Sequence, residues 1–193
     1  MILLASRSPR RAELLRQIGV EFTTLAVDID ERPRDGEAAS ELALRLAREK
    51  AEAGIERWAE AAPGDLALGA DTLIHRDGEI IGKPRNEADC RAILQRLSGR
   101  EHEVLSAVAV ADGRNPPQAL LNRSRIRFRA LEEREIRAYC AGPEPRDKAG
   151  AYAIQGKAAI FIERLEGSYS GVMGLPLFET AALLRHHGID VLT

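Results

Sequence analysis

Two kinds of periodicity divide the chain into predicted strands and helices. Short apolar or alternating runs, which are typical of strands, occur in ILLA, EFTTLAVDI, LALGADTLIH, EII, EVLSAVAVAD, ALLNRSRIRFRA and AIFIERLEG. Apolar residues three and four positions apart predict helices over 9–18 and 38–61, and in NEADCRAILQRL, LEEREIRAYCA and PLFETAALLRHHG. Because helices and strands are interspersed without strict alternation, the pattern predicts a mixed α/β fold.

Two arginines stand at the predicted start of the first helix. In ASRSPRRA, Ser8 is a suitable N-cap and Pro9 a suitable first helical residue. A helix N-terminus carries partial positive charge, so the backbone itself disfavours Arg10 and Arg11 there. Arg11 also projects among the apolar residues of this helix. A bound anion at the helix start would offset this unfavourable placement.

A lysine interrupts the apolar face of the predicted helix over 38–61. With Leu42 set at 0° and 100° per residue, Lys50 falls at about 80°, inside the apolar arc. One interpretation is a lysine whose aliphatic stem covers apolar surface. The other is an ammonium group held in a cleft for an anion.

An aspartate stands within the apolar strand LALGADTLIH, on the same face as Gly69. An unpaired buried carboxylate costs several kcal/mol, so Asp71 needs a cation, a metal or hydrogen-bond donors. It is therefore either half of an ordinary buried salt bridge or a functional carboxylate. Gly69 allows another group to approach the strand backbone closely.

Two loop segments carry further polar candidates. GKP places Lys83 on a proline-restricted loop, and DKAGAYAIQG combines small residues with a cation and Gln155. The amide of Gln155 is suited either to reading a base edge or to capping the loop.

Composition narrows the function classes. The net charge of −2 argues against a general nucleic-acid binder, and the arginines of RSRIRFR alternate as on a solvated strand face. The net charge is still compatible with a local basic pocket that binds a small anionic ligand. The two cysteines, Cys90 and Cys140, have no metal-ligand spacing and predict reduced thiols in a cytosolic protein. No apolar run approaches the length of a membrane span.

Taken together, these segments resemble the Maf family. The motifs ASRSPRR, DIDE, LAREKA, GADT, GKPR, LSG, DKAGAYAIQG and GSYSGVMGLPL follow that family's order and spacing across nearly the whole chain. The resemblance implies a mixed twisted sheet with flanking helices, similar to the inosine-triphosphate pyrophosphatase (Maf/Ham1) fold. It also implies one nucleotide pyrophosphatase domain over residues 1–193, either undivided or with two lobes around a central cleft.

The resemblance also implies an activity. Members of the family hydrolyse a nucleoside triphosphate to the monophosphate and pyrophosphate with a divalent metal, Mg²⁺ or Mn²⁺. The implied protein is cytoplasmic and forms a homodimer, and its physiological role is either nucleotide housecleaning or control of cell division. From the composition we expect no nucleic-acid or membrane partner. Because the family is also linked to inhibition of septum formation, a non-catalytic nucleotide-binding regulator of cell division is the alternative.

Three positions separate the branches of the family. The branch that hydrolyses dTTP and UTP has arginine after SP, threonine after GAD and glutamine in IQG, whereas the 7-methyl-GTP branch resembles SPWRR, SDQ and CEG. The corresponding residues here are Arg10, Thr72 and Gln155, which match the dTTP/UTP branch. The resemblance therefore implies dTTP and UTP as substrates, together with modified pyrimidine nucleotides.

Residue roles are carried over on the matching motif positions. Asp71 corresponds to the proton acceptor. Glu31 is the second metal-ligand candidate beside Asp71, because Mg²⁺ usually takes one or two carboxylates together with phosphate oxygens. The other implied catalytic residues are Lys50, Lys83 and Arg11. The implied substrate-binding residues are Ser6, Ser8, Arg10, Thr72, Asp147, Lys148 and Gln155.

Overall fold

The computed structural model describes residues 1–58 and 61–192. Its strands are β1 (Ile2–Leu4), β2 (Thr23–Thr24), β3 (Leu66–Arg76), β4 (Glu79–Ile81), β5 (Glu101–Ala111), β6 (Gln118–Phe128) and β7 (Ile162–Glu166). Its α-helices are α1 (Pro9–Gln17), α2 (Ala39–Arg57), α3 (Glu87–Leu97), α4 (Glu133–Cys140), α5 (Tyr169–Met173) and α6 (Leu177–His186). Short 3₁₀ helices occupy Ala149–Ala151 and Lys157–Phe161.

The strands form a mixed sheet with the order β2-β1-β3-β5-β6-β7, and β4 pairs with β3. Strand β1 runs parallel to β2 and β3, whereas the β3–β4 and β6–β7 pairs are antiparallel. The predicted mixed α/β class is confirmed. Among the residues described, no helix combines the length and the apolar composition needed to cross a membrane.

Two predicted strands are shorter than their sequence patterns. The segment EFTTLAVDI contributes only Thr23–Thr24, because its partner β1 pairs with it through Leu3 and Leu4 and then ends. The segment AIFIERLEG begins with a 3₁₀ turn and becomes a strand only at Ile162.

The predicted helix over 38–61 ends at Arg57, and residues 59 and 60 of that prediction lie outside the described residues.

The chain divides into two compact units. The first comprises Met1–Thr72, Ser106–Asn122 and Gly174–Thr193, and the second Leu73–Leu105 and Arg123–Met173. Strands β3, β5 and β6 contribute residues to both units. The single domain expected from the sequence stays a prediction.

Helix α2 packs closely on strands in the first unit. A Cβ on Gly54 of α2 would lie 2.8 Å from the Cβ of Ala5 and 3.3 Å from that of Ala67. A Cβ on Gly69 of β3 would lie 2.3 Å from the carbonyl oxygen of Ala47 and 2.4 Å from the nitrogen of Ala51. The group that approaches the strand backbone at Gly69, as the sequence predicted, is thus the backbone of α2.

Helices α3 and α4 pack together in the second unit, and this packing corrects one prediction. Cys90 of α3 and Cys140 at the end of α4 form a disulfide, with their Cα atoms 5.9 Å apart. The prediction of two reduced thiols is wrong. Their separation of 50 residues carried no information on distance, because helix packing rather than local spacing brings them together.

A buried histidine lies in the aromatic core of the second unit. The ring of His102 packs against those of Phe128 and Tyr152, and its Nε2 lies 2.8 Å from the Tyr152 hydroxyl. Its Nδ1 is buried without a hydrogen-bond partner. Burial, with a smaller contribution from the charge of Arg76, lowers the pKa of His102 to about 4.

This histidine is expected to make the protein less stable in mild acid. The folded chain holds His102 neutral down to a pKa of about 4, whereas the unfolded chain takes up the proton near pH 6.5. The stabilisation that comes from keeping His102 neutral is therefore fully present above pH 6.5. As the pH falls towards 4, the free energy of unfolding decreases by about 3 kcal/mol. Urea unfolding at pH 7.0, 6.0 and 5.0 measures it.

The control is His102→Gln, which retains a polar group for Tyr152 but does not titrate. Its free energy of unfolding should fall less between pH 7.0 and 5.0 than that of the parent chain. Identical pH dependence in the two proteins would contradict the burial of a neutral His102.

Candidate active site

A lysine and an aspartate form a buried ion pair in the first unit. Lys50 of α2 and Asp71 of β3 are 8% and 7% exposed, and Lys50 Nζ donates to Asp71 Oδ1 at 2.7 Å. The close approach of α2 to β3 at Gly69 brings the two side chains together. Lys50 is therefore a buried partner of a carboxylate and not a lysine reaching for solvent.

The same ammonium group contacts a second carboxylate. Glu31, on the loop between β2 and α2, places Oε1 2.7 Å from Lys50 Nζ. Asp71 Oδ2 is buried without a hydrogen-bond partner. Two carboxylates thus share one cation, and one buried oxygen is left to receive a proton or a cation.

The implied metal fits this arrangement. Among the described residues no three histidine, cysteine, aspartate or glutamate side chains converge in a metal cage. Mg²⁺, however, is commonly held by one or two carboxylates together with substrate phosphates and water. Glu31 and the unpartnered Asp71 oxygen supply such a pair.

Arg11 lies beside this carboxylate group, at the start of α1. Its Nη1 donates to Ser6 Oγ at 3.2 Å and its Nε to the Gly174 carbonyl at 2.8 Å. Burial lowers the pKa of Arg11, which the negative charge of Asp71 opposes and the positive charge of Arg10 reinforces. The site therefore holds two neighbouring cations at a helix N-terminus.

The helix start keeps its own donors available. Ser8 occupies the N-cap position, as its sequence context predicts, but its side chain makes no capping hydrogen bond. Instead, Ser8 N donates to Ser6 Oγ at 3.1 Å. The side chain of Arg10 makes no hydrogen bond or ion pair with the rest of the described chain. An anion at this helix start would meet backbone N–H groups and two guanidinium groups.

The side chain of Thr72 projects from the face of β3 opposite that of Asp71, as strand alternation requires. Its Oγ1 lies 3.1 Å from Ser106 Oγ and 3.4 Å from the Gly174 carbonyl oxygen. Ser106 was missed in the sequence, although one polar residue inside the apolar run VLSAVAVA was a signal for it. The Gly174 carbonyl joins Thr72 to Arg11.

The remaining predicted residues lie in the second unit. Lys83 and Gln155 are exposed, and Lys148 Nζ contacts Asp147 Oδ1 at 2.8 Å. The structure thus groups Ser6, Arg11, Glu31, Lys50, Asp71 and Thr72 in the first unit. It places Lys83, Asp147, Lys148 and Gln155 in the second.

Glu144 organises the loop that carries Gln155 and was also missed in the sequence. Its carboxylate accepts hydrogen bonds from the Tyr139 hydroxyl and the Lys157 amide, both at 2.9 Å, and a longer one from Ala158 N at 3.3 Å. A Cβ on Gly156 would lie 2.4 Å from this carboxylate. The turn after Gln155 is therefore fixed by one side chain.

A comparison with known protein families matches almost the whole chain. The model of the family described as Maf-like protein matches residues 1–187. The chain belongs to this family.

Relatives within the Maf-like family are similar over almost their full lengths. The dTTP/UTP pyrophosphatase of Aromatoleum aromaticum is 54% identical over 97% of this chain and 95% of that protein. The dTTP/UTP pyrophosphatase of Nitrosospira multiformis is 52% identical over 98% of this chain and 96% of its own length. The dTTP/UTP pyrophosphatase of Methylococcus capsulatus is 53% identical over 97% of this chain and 91% of its own length.

Solved structures similar to this Maf-like chain are more distant. The Ham1 protein of Staphylococcus aureus has a TM-score of 0.47 and 14% identity, over 66% of this chain and 71% of that one. A HAM1 protein from Coxiella burnetii has a TM-score of 0.46 and 18% identity, over 66% and 72%. Similarity at this distance does not bear on the site.

Replacing Glu144 by Gln is expected to loosen the Gln155 loop. The amide keeps one acceptor oxygen but turns an NH₂ group towards donors that the carboxylate satisfied, at a cost of about 1–3 kcal/mol. Urea unfolding measures this loss, and steady-state kinetics should show a higher KM for UTP.

Tyr139→Phe is the matched control, since it removes one of the hydrogen bonds and leaves both backbone contacts of Glu144 intact. Its KM should stay near that of the parent chain. An equal rise of KM in both variants would show that Glu144 does not organise the loop through the backbone.

Proposed function

We propose that this Maf-like protein is a nucleoside triphosphate pyrophosphatase that hydrolyses dTTP and UTP to the monophosphate and pyrophosphate. One observation carries the proposal: the buried oxygen of Asp71 without a partner, beside a second carboxylate that shares its lysine. A purely structural salt bridge would not need that oxygen left open. The names of the relatives, dTTP/UTP pyrophosphatase, support the substrate class.

In the proposed reaction, Asp71 accepts a proton from the water that attacks the α-phosphorus. Lys50 holds the Asp71 carboxylate through Oδ1, which leaves Oδ2 without a partner in the described chain and open to a proton or a cation. The N-terminus of α1, with Ser8 and Arg11, binds the triphosphate, and Ser6 fixes the Arg11 guanidinium. Lys83 and Lys148 contribute positive charge to phosphate oxygens.

A divalent metal, Mg²⁺ or Mn²⁺, is part of the proposal. Glu31 and Asp71 would hold it, and it would neutralise phosphate charge and lower the pKa of bound water. When nucleotide binds, the charge of Lys50 becomes available to phosphate as well as to the carboxylates.

Arg10, Thr72 and Gln155 are proposed to select the base, with Asp147 completing the substrate-binding set. With these residues, the protein would also accept modified pyrimidine nucleotides as substrates. The resemblance to the Maf family further supports a cytoplasmic homodimer, with nucleotide housecleaning or control of cell division as its role. We propose no nucleic-acid or membrane partner.

The test is pyrophosphate release from dTTP, UTP, CTP, GTP, 7-methyl-GTP and ITP, with Mg²⁺ or Mn²⁺ and with EDTA. Metal-dependent release mainly from dTTP and UTP is the expected result. Nucleotide binding without pyrophosphate release from any of the six would instead favour a non-catalytic regulator. Preference for 7-methyl-GTP would overturn the assignment of the base-selecting residues.

A further inference from the structure

The hydroxyl of Ser106 is buried beside the proposed base-selecting threonine. Ser106 lies on β5, is 1% exposed, and its Oγ is 3.1 Å from Thr72 Oγ1. In the part of the chain that the structure describes, this is the one side-chain hydrogen bond of Ser106. A buried O–H group needs an acceptor, and the Thr72 oxygen is the acceptor at hand.

A hydrogen bond donated by Ser106 determines where the hydrogen of the Thr72 hydroxyl can point. If Ser106 donates to Thr72, a lone pair of Thr72 Oγ1 is occupied and its hydrogen points elsewhere. The nearest acceptor is the Gly174 carbonyl at 3.4 Å, which is long for an O–H hydrogen bond. Arg11 Nε already serves that carbonyl at 2.8 Å. The Thr72 hydrogen is thus weakly engaged and available to a ligand.

We propose that Ser106 is a positioning residue that makes Thr72 a hydrogen-bond donor to the base oxygen at position 4 of uracil and thymine. The inference rests on the proposed function, in which Thr72 contacts the base. Cytosine carries an amino group at this position, which is a donor and needs an acceptor. With one of its two lone pairs occupied by Ser106 and its hydrogen weakly engaged, Thr72 meets a base oxygen better than an amino group, so UTP is preferred over CTP.

Ser106→Ala is expected to weaken this preference. Without the serine hydroxyl, both lone pairs of Thr72 Oγ1 are open, so the residue accepts from cytosine more readily while it still donates to uracil. The ratio of kcat/KM for UTP to that for CTP should fall about tenfold, the effect of one hydrogen bond. Most of the change should come from a lower KM for CTP and not from kcat, because among the described residues the Ser106 side chain makes no hydrogen bond to Asp71 or Lys50.

Two further variants separate positioning from packing. Ser106→Cys retains similar volume with a weaker donor, and should give an intermediate ratio. Ser124→Ala removes another serine that is 1% exposed, in the second unit, and should leave the ratio unchanged. Thermal unfolding of all three shows whether a variant has failed to fold.

A double-mutant cycle with Thr72→Val decides the mechanism. Once Thr72 has lost its hydroxyl, Ser106→Ala should change the UTP to CTP ratio less than twofold. A ratio unchanged by Ser106→Ala in the parent chain, or lowered equally in both backgrounds, overturns the proposal.

Calorimetric binding of UTP and CTP to the parent chain and to Ser106→Ala keeps this result distinct from the proposed activity. A UTP preference in binding that Ser106→Ala removes supports the proposal even if no pyrophosphate is released. Equal binding of the two nucleotides by the parent chain overturns it even if both are hydrolysed.

Discussion

Asp71→Asn should lower pyrophosphate release from UTP by a factor of roughly 10²–10⁴. The amide cannot accept a proton from water, and removal of a positioned general base commonly costs 10²–10⁴ in rate. Lys50 keeps Glu31 as a partner in the variant, so its ammonium group is not left unpaired. Nucleotide binding, measured by calorimetry, should change far less than kcat.

Asp65→Asn provides the matched control. Asp65 is also 7% exposed and in the first unit, and it is bonded to the N-terminal amino group and to Ala62 N. Its replacement should lower stability while leaving kcat within about threefold, since general-base catalysis is not involved. Near-normal turnover of Asp71→Asn would show that the Lys50–Asp71 pair is structural and that the proton acceptor lies elsewhere.

Gly69→Ala is expected to have the largest effect on stability. The added Cβ would lie 2.3–2.4 Å from backbone atoms of α2 and 3.0 Å from the carbonyl carbon of Lys50. Backbone cannot yield as a flexible side chain can, so the helix must move away from β3, at a cost of roughly 3 kcal/mol or more. The same movement separates Lys50 from Asp71, and turnover should fall as well.

Gly82→Ala isolates the close approach from the general effect of replacing glycine. A Cβ there meets nothing within 4 Å, and the backbone is not in the left-handed region. Its free energy of unfolding should stay within about 0.5 kcal/mol of the parent value. If Gly69→Ala is equally mild in urea unfolding, the packing of α2 on β3 is looser than the structure indicates.

The shared lysine explains how the buried carboxylate of Asp71 and the exposed one of Glu31 lie near each other. A buried ion pair is weak support for stability, because desolvation of the charges offsets much of their attraction. Asp71 Oδ2 is also buried without a hydrogen-bond partner in the described chain. This arrangement is better suited to receiving a cation than to stabilising the fold, which is why we assign it to the reaction.

The sequence by itself determined the position of most elements and the identity of the unusual charges. Helix starts, glycine turns and strand alternation depend on neighbours a few residues away, so the pattern around Pro9 or Asn86 is sufficient to predict them. An arginine at a helix N-terminus and a carboxylate in an apolar strand are likewise local anomalies. The Maf family motifs joined these anomalies into one hypothesis about function.

Tertiary structure alone decided which groups meet. The sequence could not choose between a lysine reaching for solvent and one held in a cleft, because the partner carboxylate lies 21 residues away. It also paired no cysteines and singled out neither Ser106 nor Glu144. Each of these contacts depends on how closely two elements pack, as α2 does on β3 at Gly69, and packing distance is a property of the folded chain and not of local periodicity.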